Sequence, residues 1–252
     1  MDNLENSLNK NELKVLKEVF VNNQPLDVIY EDNHIIVIVK PQNVPSQPDS
    51  SGDIDALTMV KNYIKEKYNK KGDAFVGLVH RLDRPTGGVM VFAKTSKAAS
   101  RLSLQIQEGL FEKTYFAVVK GTPKKKKDYL VNYIKKDLRE NKASFVPMLE
   151  QGAKRAELSY ETLQEVNGLS LLKINLKTGR GHQIRLQLSG IGCPIYGDAK
   201  YGENKNNLKT TNLALWAGVL RFKHPTQEKF MLFKVEPPEN SVFKIFHMEK
   251  VI

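Results

Sequence analysis

The residues of this chain best placed to do chemistry lie in His80-Arg81-Leu82-Asp83-Arg84-Pro85-Thr86-Gly87-Gly88. One carboxylate stands between two guanidinium groups, and the segment runs straight into the apolar stretch Val89-Met90-Val91-Phe92-Ala93. An acid at the mouth of a buried strand is where a reacting base could be brought against it, so Asp83 is the candidate catalytic residue. A strand-end salt bridge followed by a Gly-Gly turn is the competing reading of this segment, because structural ion pairs also perturb carboxylates. Two further segments bear on the choice. Residues 111–121 alternate as a strand, with Tyr115, Ala117 and Val119 on one face, so Tyr115 is either an ordinary sheet aromatic or a ring that stacks on a base. Residues 176–188 end a strand in a glycine-spaced basic turn and open a helix. Arg180, His182 and Arg185 gather at that junction, where free amides and the helix dipole favour a phosphate or carboxylate; the alternative is a capped helix start with a solvated Arg.

The elements that must position these groups follow from periodicity. A helix is expected from Ser96 to a stop at Gly109, with Ala99, Leu102 and Ile106 at three- and four-residue steps. Residues 41–55 have no apolar period and read as a loop, followed by a helix carrying Leu57, Val60 and Ile64. A strand over 75–79 then delivers the Asp83 loop. In the junction helix, Ile184, Leu188 and Ile191 bury one face. Lys124-Lys125-Lys126-Lys127 reads as a solvated hairpin tip, or alternatively as a contact to a phosphate backbone. Strands over 156–166, 169–176, 213–222 and 230–235 complete an α+β layout, a mostly antiparallel mixed sheet with flanking helices. Residues 1–25 form an N-terminal extension, with Leu13, Leu16 and Phe20 at helical steps, that reads as a short amphipathic helix or a frayed segment. The catalytic domain is expected over 26–252.

Composition bounds the class. With 252 residues and 40% hydrophobic content the chain can bury one large core or two joined subdomains. Thirty-nine Lys+Arg against 28 Asp+Glu give a net charge of +11, the footprint of a protein that approaches a polyanion. Cys193 is the sole cysteine, so an internal disulfide and a Cys-rich zinc site are excluded, and the five histidines lack the close pairing of a helical zinc site. No metal is predicted. Nothing in the sequence reads as a membrane span or a signal peptide, and the cytoplasm is the expected location.

Taken together, these segments resemble the signature motifs of the RluA-type RNA pseudouridine synthases: H-R-L-D-x-x-T-G-G, K-x-Y-x-A-x-V-x-G and T-G-R-x-H-Q-I-R-L. A further element, G-x-P-I-Y-G-D-x-x-Y-G, is matched by residues 192–202, and residues 29–41 and 215–225 extend the agreement. The resemblance covers about residues 26–237. It implies the pseudouridine synthase fold, two subdomains around a central cleft, in a minimal member without an S4-type RNA-binding domain. It implies conversion of uridine to its C-glycoside isomer in ribosomal or transfer RNA, with no cofactor, by a monomer. Asp83 would act on sugar or base, or remove a sugar proton; Arg185 would be its charge partner. Tyr115 would stack on the uracil and take the C5 proton. Arg81 would fill the space left by a flipped-out uridine, and His80, Arg84, Arg180, His182 and Gln183 would contact the RNA. Gly181 departs from the Thr or Ser of many relatives and removes a hydroxyl from the loop. A catalytically silent RNA-binding protein on the same fold is the rival; it would not need Asp83, Tyr115 and Arg185 together. A nuclease would need metal-binding carboxylates that the motifs do not offer.

Overall fold

The computed structural model describes residues 17–21, 24–202 and 212–248. Every residue of the strand β5 (Gly87–Ala93) is buried, the pattern of a strand covered on both faces. Its neighbour β3 (Ile35–Lys40) shows why. Ile36 and Ile38 point to the side where Met59 and Val60 of helix α1 (Ala56–Lys67) pack. Ile35 and Val37 point to the other, against Ala98 and Leu102 of helix α2 (Ser96–Gln107). Strict alternation along β3 and β5 thus supplies two apolar clusters, one per helix. Both helices open on a side-chain cap. Asp55 accepts from the Thr58 amide, and Thr95, one residue before the expected start, accepts from the Ala98 amide. Gly109, at φ 73°, follows the end of α2 in the left-handed conformation that glycine adopts without strain.

The remaining strands are β1 (Lys17–Val21), β2 (Gln24–Glu31), β4 (Gly77–Leu78), β6 (Glu112–Lys120), β7 (Lys127–Asp137), β8 (Lys142–Phe145), β9 (Lys154–Val166), β10 (Leu169–Leu176), β11 (Leu215–Lys223) and β12 (Phe230–Lys234). They form one sheet in the order β1-β2-β3-β5-β11-β6-β10-β9-β7-β8, with β12 on β11 and β4 on β5. The pairings are antiparallel except between β11 and β5. The third helix, α3 (Gln183–Gly190), packs beside β7 and β8, where Ile134, Ala143, Ala156, Leu186 and Tyr201 form a small separate core. Beyond Ile184 and Leu188, α3 also buries Arg185 and Gln187, so its polar side chains are directed into the protein.

The α+β class holds, and three local expectations change. Phe20 lies in β1, paired antiparallel with β2, and not in a helix; Leu13 and Leu16 lie outside the described residues. A helical spacing of three residues is a weak preference that an open sheet edge overrides. The strand expected over 75–79 contracts to Gly77–Leu78, because β5 pairs with β4 only at Ala93 and Phe92. The lysine run is not a hairpin tip. β6 and β7 are separated in the sheet by β10 and β9, so residues 121–126 are a crossover connection. The lysines of the run are solvated, with Lys125 in the connection near Asp128 at 3.1 Å and Lys127, the first residue of β7, near Glu161 at 2.8 Å.

The two glycines of the Asp83 segment have a packing reason. A Cβ on Gly87 would stand 2.4 Å from the Trp216 ring. Gly88, at φ 124°, would place one 2.2 Å from the Ala217 carbonyl oxygen. Here β5 meets β11 in parallel, with Gly87 opposite Trp216 and Gly88 opposite Ala217. Only glycine permits that approach.

Candidate active site

The loop between β4 and β5 holds Asp83 over the first residues of β5, and the chain beneath it is tied down by polar contacts. Ser46 clamps Leu82 from both sides, its hydroxyl donating to the Leu82 carbonyl at 2.7 Å and accepting from the Leu82 amide at 3.1 Å. The Lys40 ammonium, wholly buried at the end of β3, donates to the carbonyls of Pro41, Val44 and Arg84 at 2.8, 2.6 and 3.2 Å. Burial pulls its pKa down to about 7, with the Asp83 carboxylate acting in the opposite sense. The Thr86 amide closes the turn on the Asp83 carbonyl at 2.9 Å. Arg84 is turned outward to the Asn43 carbonyl and Asp53.

Asp83, Tyr115 and Arg185 line one cleft of about 1790 Å³, larger than a small-molecule pocket of about 300–1,000 Å³. Three segments far apart in sequence meet there: the β4–β5 loop, the middle of β6 and the first turn of α3. The Asp83 carboxylate acts electrostatically on Lys40, Tyr115, His182, Arg185 and Lys200. Among the described residues its oxygens accept no hydrogen bond and form no ion pair.

No hydrogen bond or ion pair joins Asp83 to Arg185 among the described residues, and the carboxylate acts on the guanidinium only electrostatically. The guanidinium fork of Arg185 is held by Asp198, with Nε at 2.7 Å from Oδ2 and Nη2 at 2.6 Å from Oδ1. Asp198 also accepts from the amides of Lys200 and Tyr201 at 2.8 and 3.0 Å. Burial works against the Arg185 charge, but the bonds to Asp198 outweigh it and raise its pKa; the same contacts hold the Asp198 carboxyl below its usual value despite burial. Tyr201 carries its ring 5.2 Å from the Arg185 guanidinium, and its hydroxyl joins His182 Nδ1 at 3.0 Å and the Ala143 amide at 2.7 Å. The two-pronged contact of Arg185 is thus made to Asp198.

Other expected contacts sort by what they touch. Arg81 is exposed and, among the described residues, unpaired. Arg180 is exposed at the cleft rim, with Nε on the Arg155 carbonyl at 3.1 Å. Gln183 is spent on the protein: its Oε1 accepts from Thr178 and the Arg180 amide, and its Nε2 donates to the Glu157 carbonyl and to Gln187. It shapes the turn instead of presenting its amide to a ligand. His182, at φ 59° ahead of α3, is driven to a pKa of about 4, first by burial and then by Arg185 against the pull of Asp83. It is a neutral imidazole at pH 7 and adds no positive charge to the junction. His80 is neutral as well, its pKa pushed down to about 3 by burial and by Lys113. Its Nε2 accepts from the Val91 amide at 3.1 Å, which places the proton on Nδ1, and Nδ1 has no partner. Burial, then Asp83, raises the Tyr115 phenol, so the ring enters the cleft protonated.

Lys40, Asp198 and Lys113 were not singled out from sequence as functional. Asp198 stands inside a motif already visible, and Lys40 ends the apolar run of β3; a charge immediately after such a run was the available signal. Among the described residues no cluster of three or more His, Cys, Asp or Glu side chains is placed to hold a metal ion, and no helix is long and apolar enough to cross a membrane.

Comparison with known proteins gives one consistent result. A family model described as RNA pseudouridylate synthase matches residues 34–190. An uncharacterized RNA pseudouridine synthase of Aquifex aeolicus is 35% identical over 229 residues, covering 86% of this chain and 71% of that protein. The ribosomal large subunit pseudouridine synthase D of Zymomonas mobilis is 31% identical, covering 86% and 70%. Among solved structures, human RNA pseudouridylate synthase domain containing 4 superposes with a TM-score of 0.72 at 22% identity, covering 89% of this chain and 92% of that one, a likeness of fold. The family model spans more than half of the chain, including the Asp83 loop, β6 and α3, and so this chain belongs to the RNA pseudouridylate synthase family.

Proposed function

We propose that the chain isomerises uridine to pseudouridine in a structured RNA, with Asp83 as the reacting carboxylate. The observation that carries this reading is an unpaired carboxylate in a cleft shared with Tyr115 and Arg185, where every other acid in direct contact with the catalytic set is already neutralised. The reaction breaks the N1–C1′ bond, turns the uracil while it is held, forms the C5–C1′ bond and moves the C5 proton to N1. Atoms and electrons balance without a reductant or nucleotide. A free carboxylate suits the first step, whether it attacks sugar or base or removes a sugar proton. Tyr115 packs on the loosened uracil as a neutral phenol. To accept the C5 proton it would first have to lose its own, and burial beside Asp83 opposes that. Arg185, fixed by Asp198, presents its remaining edge to the cleft as a rigid donor. Arg81, exposed next to the loop, is free to occupy the gap left when the uridine rotates out, a step that costs about a few kcal/mol of unstacking.

Relatives named for the ribosomal large subunit make ribosomal RNA the first substrate to test, with transfer RNA alongside it. RNA treated with the wild-type protein should acquire carbodiimide-reactive pseudouridine, and RNA treated with Asp83→Asn should acquire none while still being bound. Activity surviving in Asp83→Asn would reject the assignment of Asp83. Binding without modification by the wild type would favour the silent RNA-binding alternative.

A further inference from the structure

Lys113 precedes Tyr115 by two residues on β6, so the two side chains share the face that lines the cleft. Its ammonium lies 6.0 Å from the centroid of the Phe111 ring on one side, and a Cβ added to Gly179 would stand 3.5 Å from it on the other. Burial pulls the Lys113 pKa below the ordinary lysine value, and among the described residues no carboxylate pairs with it. The adjacent Glu112 is taken by Arg221. At the same end of the cleft His80 offers Nδ1–H, also without a partner, and its ring packs on Phe111 at 5.2 Å. Two donors, one of them charged, therefore have no acceptor from the protein.

A desolvated cation without a counter-charge is costly, and a neutral carbonyl would satisfy its hydrogen bonds without satisfying its charge. The missing partner is an anion that stays ionised across the working pH range, which is the property of a phosphodiester. Two residues along a strand separate Lys113 from Tyr115 by about 7 Å, within the reach of one nucleotide. We propose that Lys113 anchors a backbone phosphate flanking the uridine that lies over Tyr115. This rests on the reading of the chain as an RNA-modifying enzyme, and it adds a subsite to the carboxylate, tyrosine and arginine already placed.

The test uses a short single-stranded oligoribonucleotide with one uridine among adenosines, and its analogues carrying a neutral methylphosphonate on either side of that uridine. Lys113→Met should weaken binding about ten-fold or more, as expected for loss of a charge-assisted contact. It should also reduce the steepness of log K against log salt by about 0.7, the increment for one phosphate of a single strand. Lys113→Arg should keep the wild-type slope, and Lys113→Gln serves in place of the Met variant if that one does not fold. One of the two methylphosphonates should weaken the wild type and leave Lys113→Met unaffected. An unchanged slope, an equal methylphosphonate penalty in both proteins, or no measurable binding by the wild type would overturn the proposal. Pseudouridine formation by the wild type in total RNA is measured separately. Its absence would sink the enzymatic reading and leave the binding result to stand on its own.

Discussion

Asp83 lines the cleft and Asp198 lies buried behind it, and their fates are opposite, the first left free and the second saturated by four donors. The proposal of Asp83 as the reacting carboxylate rests on that division, which leaves Asp198 as the group that holds Arg185. Removing the Asp198 charge leaves a buried guanidinium without its counter-ion, a loss of about 3–5 kcal/mol when one member of a buried pair is deleted. Asp198→Asn should therefore lower thermal stability, and it should lower kcat with little change in RNA affinity. In an Arg185→Met background the same substitution should cost kcat nothing further, since a residue that acts through another shows its effect as coupling in a double-mutant cycle. A kcat loss of equal size in both backgrounds would show that Asp198 does not work through Arg185. Arg185→Lys should be harmful as well, because a lysine keeps the charge but cannot make the two-pronged contact.

At the scale of elements, the site depends on seams that tolerate no side chain. Gly88→Ala would force a Cβ against the Ala217 carbonyl at φ 124°, prising β5 from β11 directly beside the Asp83 loop. A loss of about 4 kcal/mol is expected, which for a chain of this size lowers Tm by about 10 °C, readable by calorimetry. Gly181→Ala is the contrast. Its Cβ would meet only the flexible end of Lys136 at 3.3 Å, so stability should be nearly unchanged, and the loop's missing hydroxyl becomes a question of RNA positioning, not of folding. A third element-level device is Glu31, at the end of β2, which accepts from Lys67, Tyr63 and Tyr68 near α1 and from Lys94 after β5. Burial alone would raise its pKa, but these donors lower it from 4.5 to about 2. A carboxylate with a depressed folded pKa contributes stability above its unfolded value and loses it as pH falls through the folded one. The wild type should thus exceed Glu31→Gln by about 2–3 kcal/mol above pH 5, and the two should converge by about pH 2, in denaturant melts across that range.

For the whole molecule, what sequence revealed and what it hid divide along a physical line. Periodicity and caps located β5, α2, β9, β10 and α3, because each buries its face by local alternation, and the motifs brought Asp83, Tyr115 and Arg185 to one cleft. Partner choice was hidden. Nothing in the order of residues says that Asp198 folds back on Arg185, that Lys40 is buried under the Asp83 loop, or that burial leaves His182 uncharged. The lysine run misled for a related reason, since strand adjacency in the sheet is decided by long-range pairing. The net charge of +11 has the same ambiguity, because total charge does not say which cations meet RNA. Their surroundings in the structure differ. Arg81 is exposed beside the cleft with no counter-charge among the described residues, whereas Lys125 and Lys127 lie outside it, next to Asp128 and Glu161. If Arg81 contacts a phosphate, Arg81→Ala should lower the steepness of the salt dependence of RNA binding by about 0.7–0.9, one contact's worth, and a stacking role alone would weaken binding at an unchanged slope. Lys125→Ala with Lys127→Ala should leave affinity and slope as they are, although that double variant removes twice the formal charge. Binding that instead tracks net charge, falling more for the double lysine variant than for Arg81→Ala, would mean that RNA is attracted to the surface at large and not drawn to this cleft.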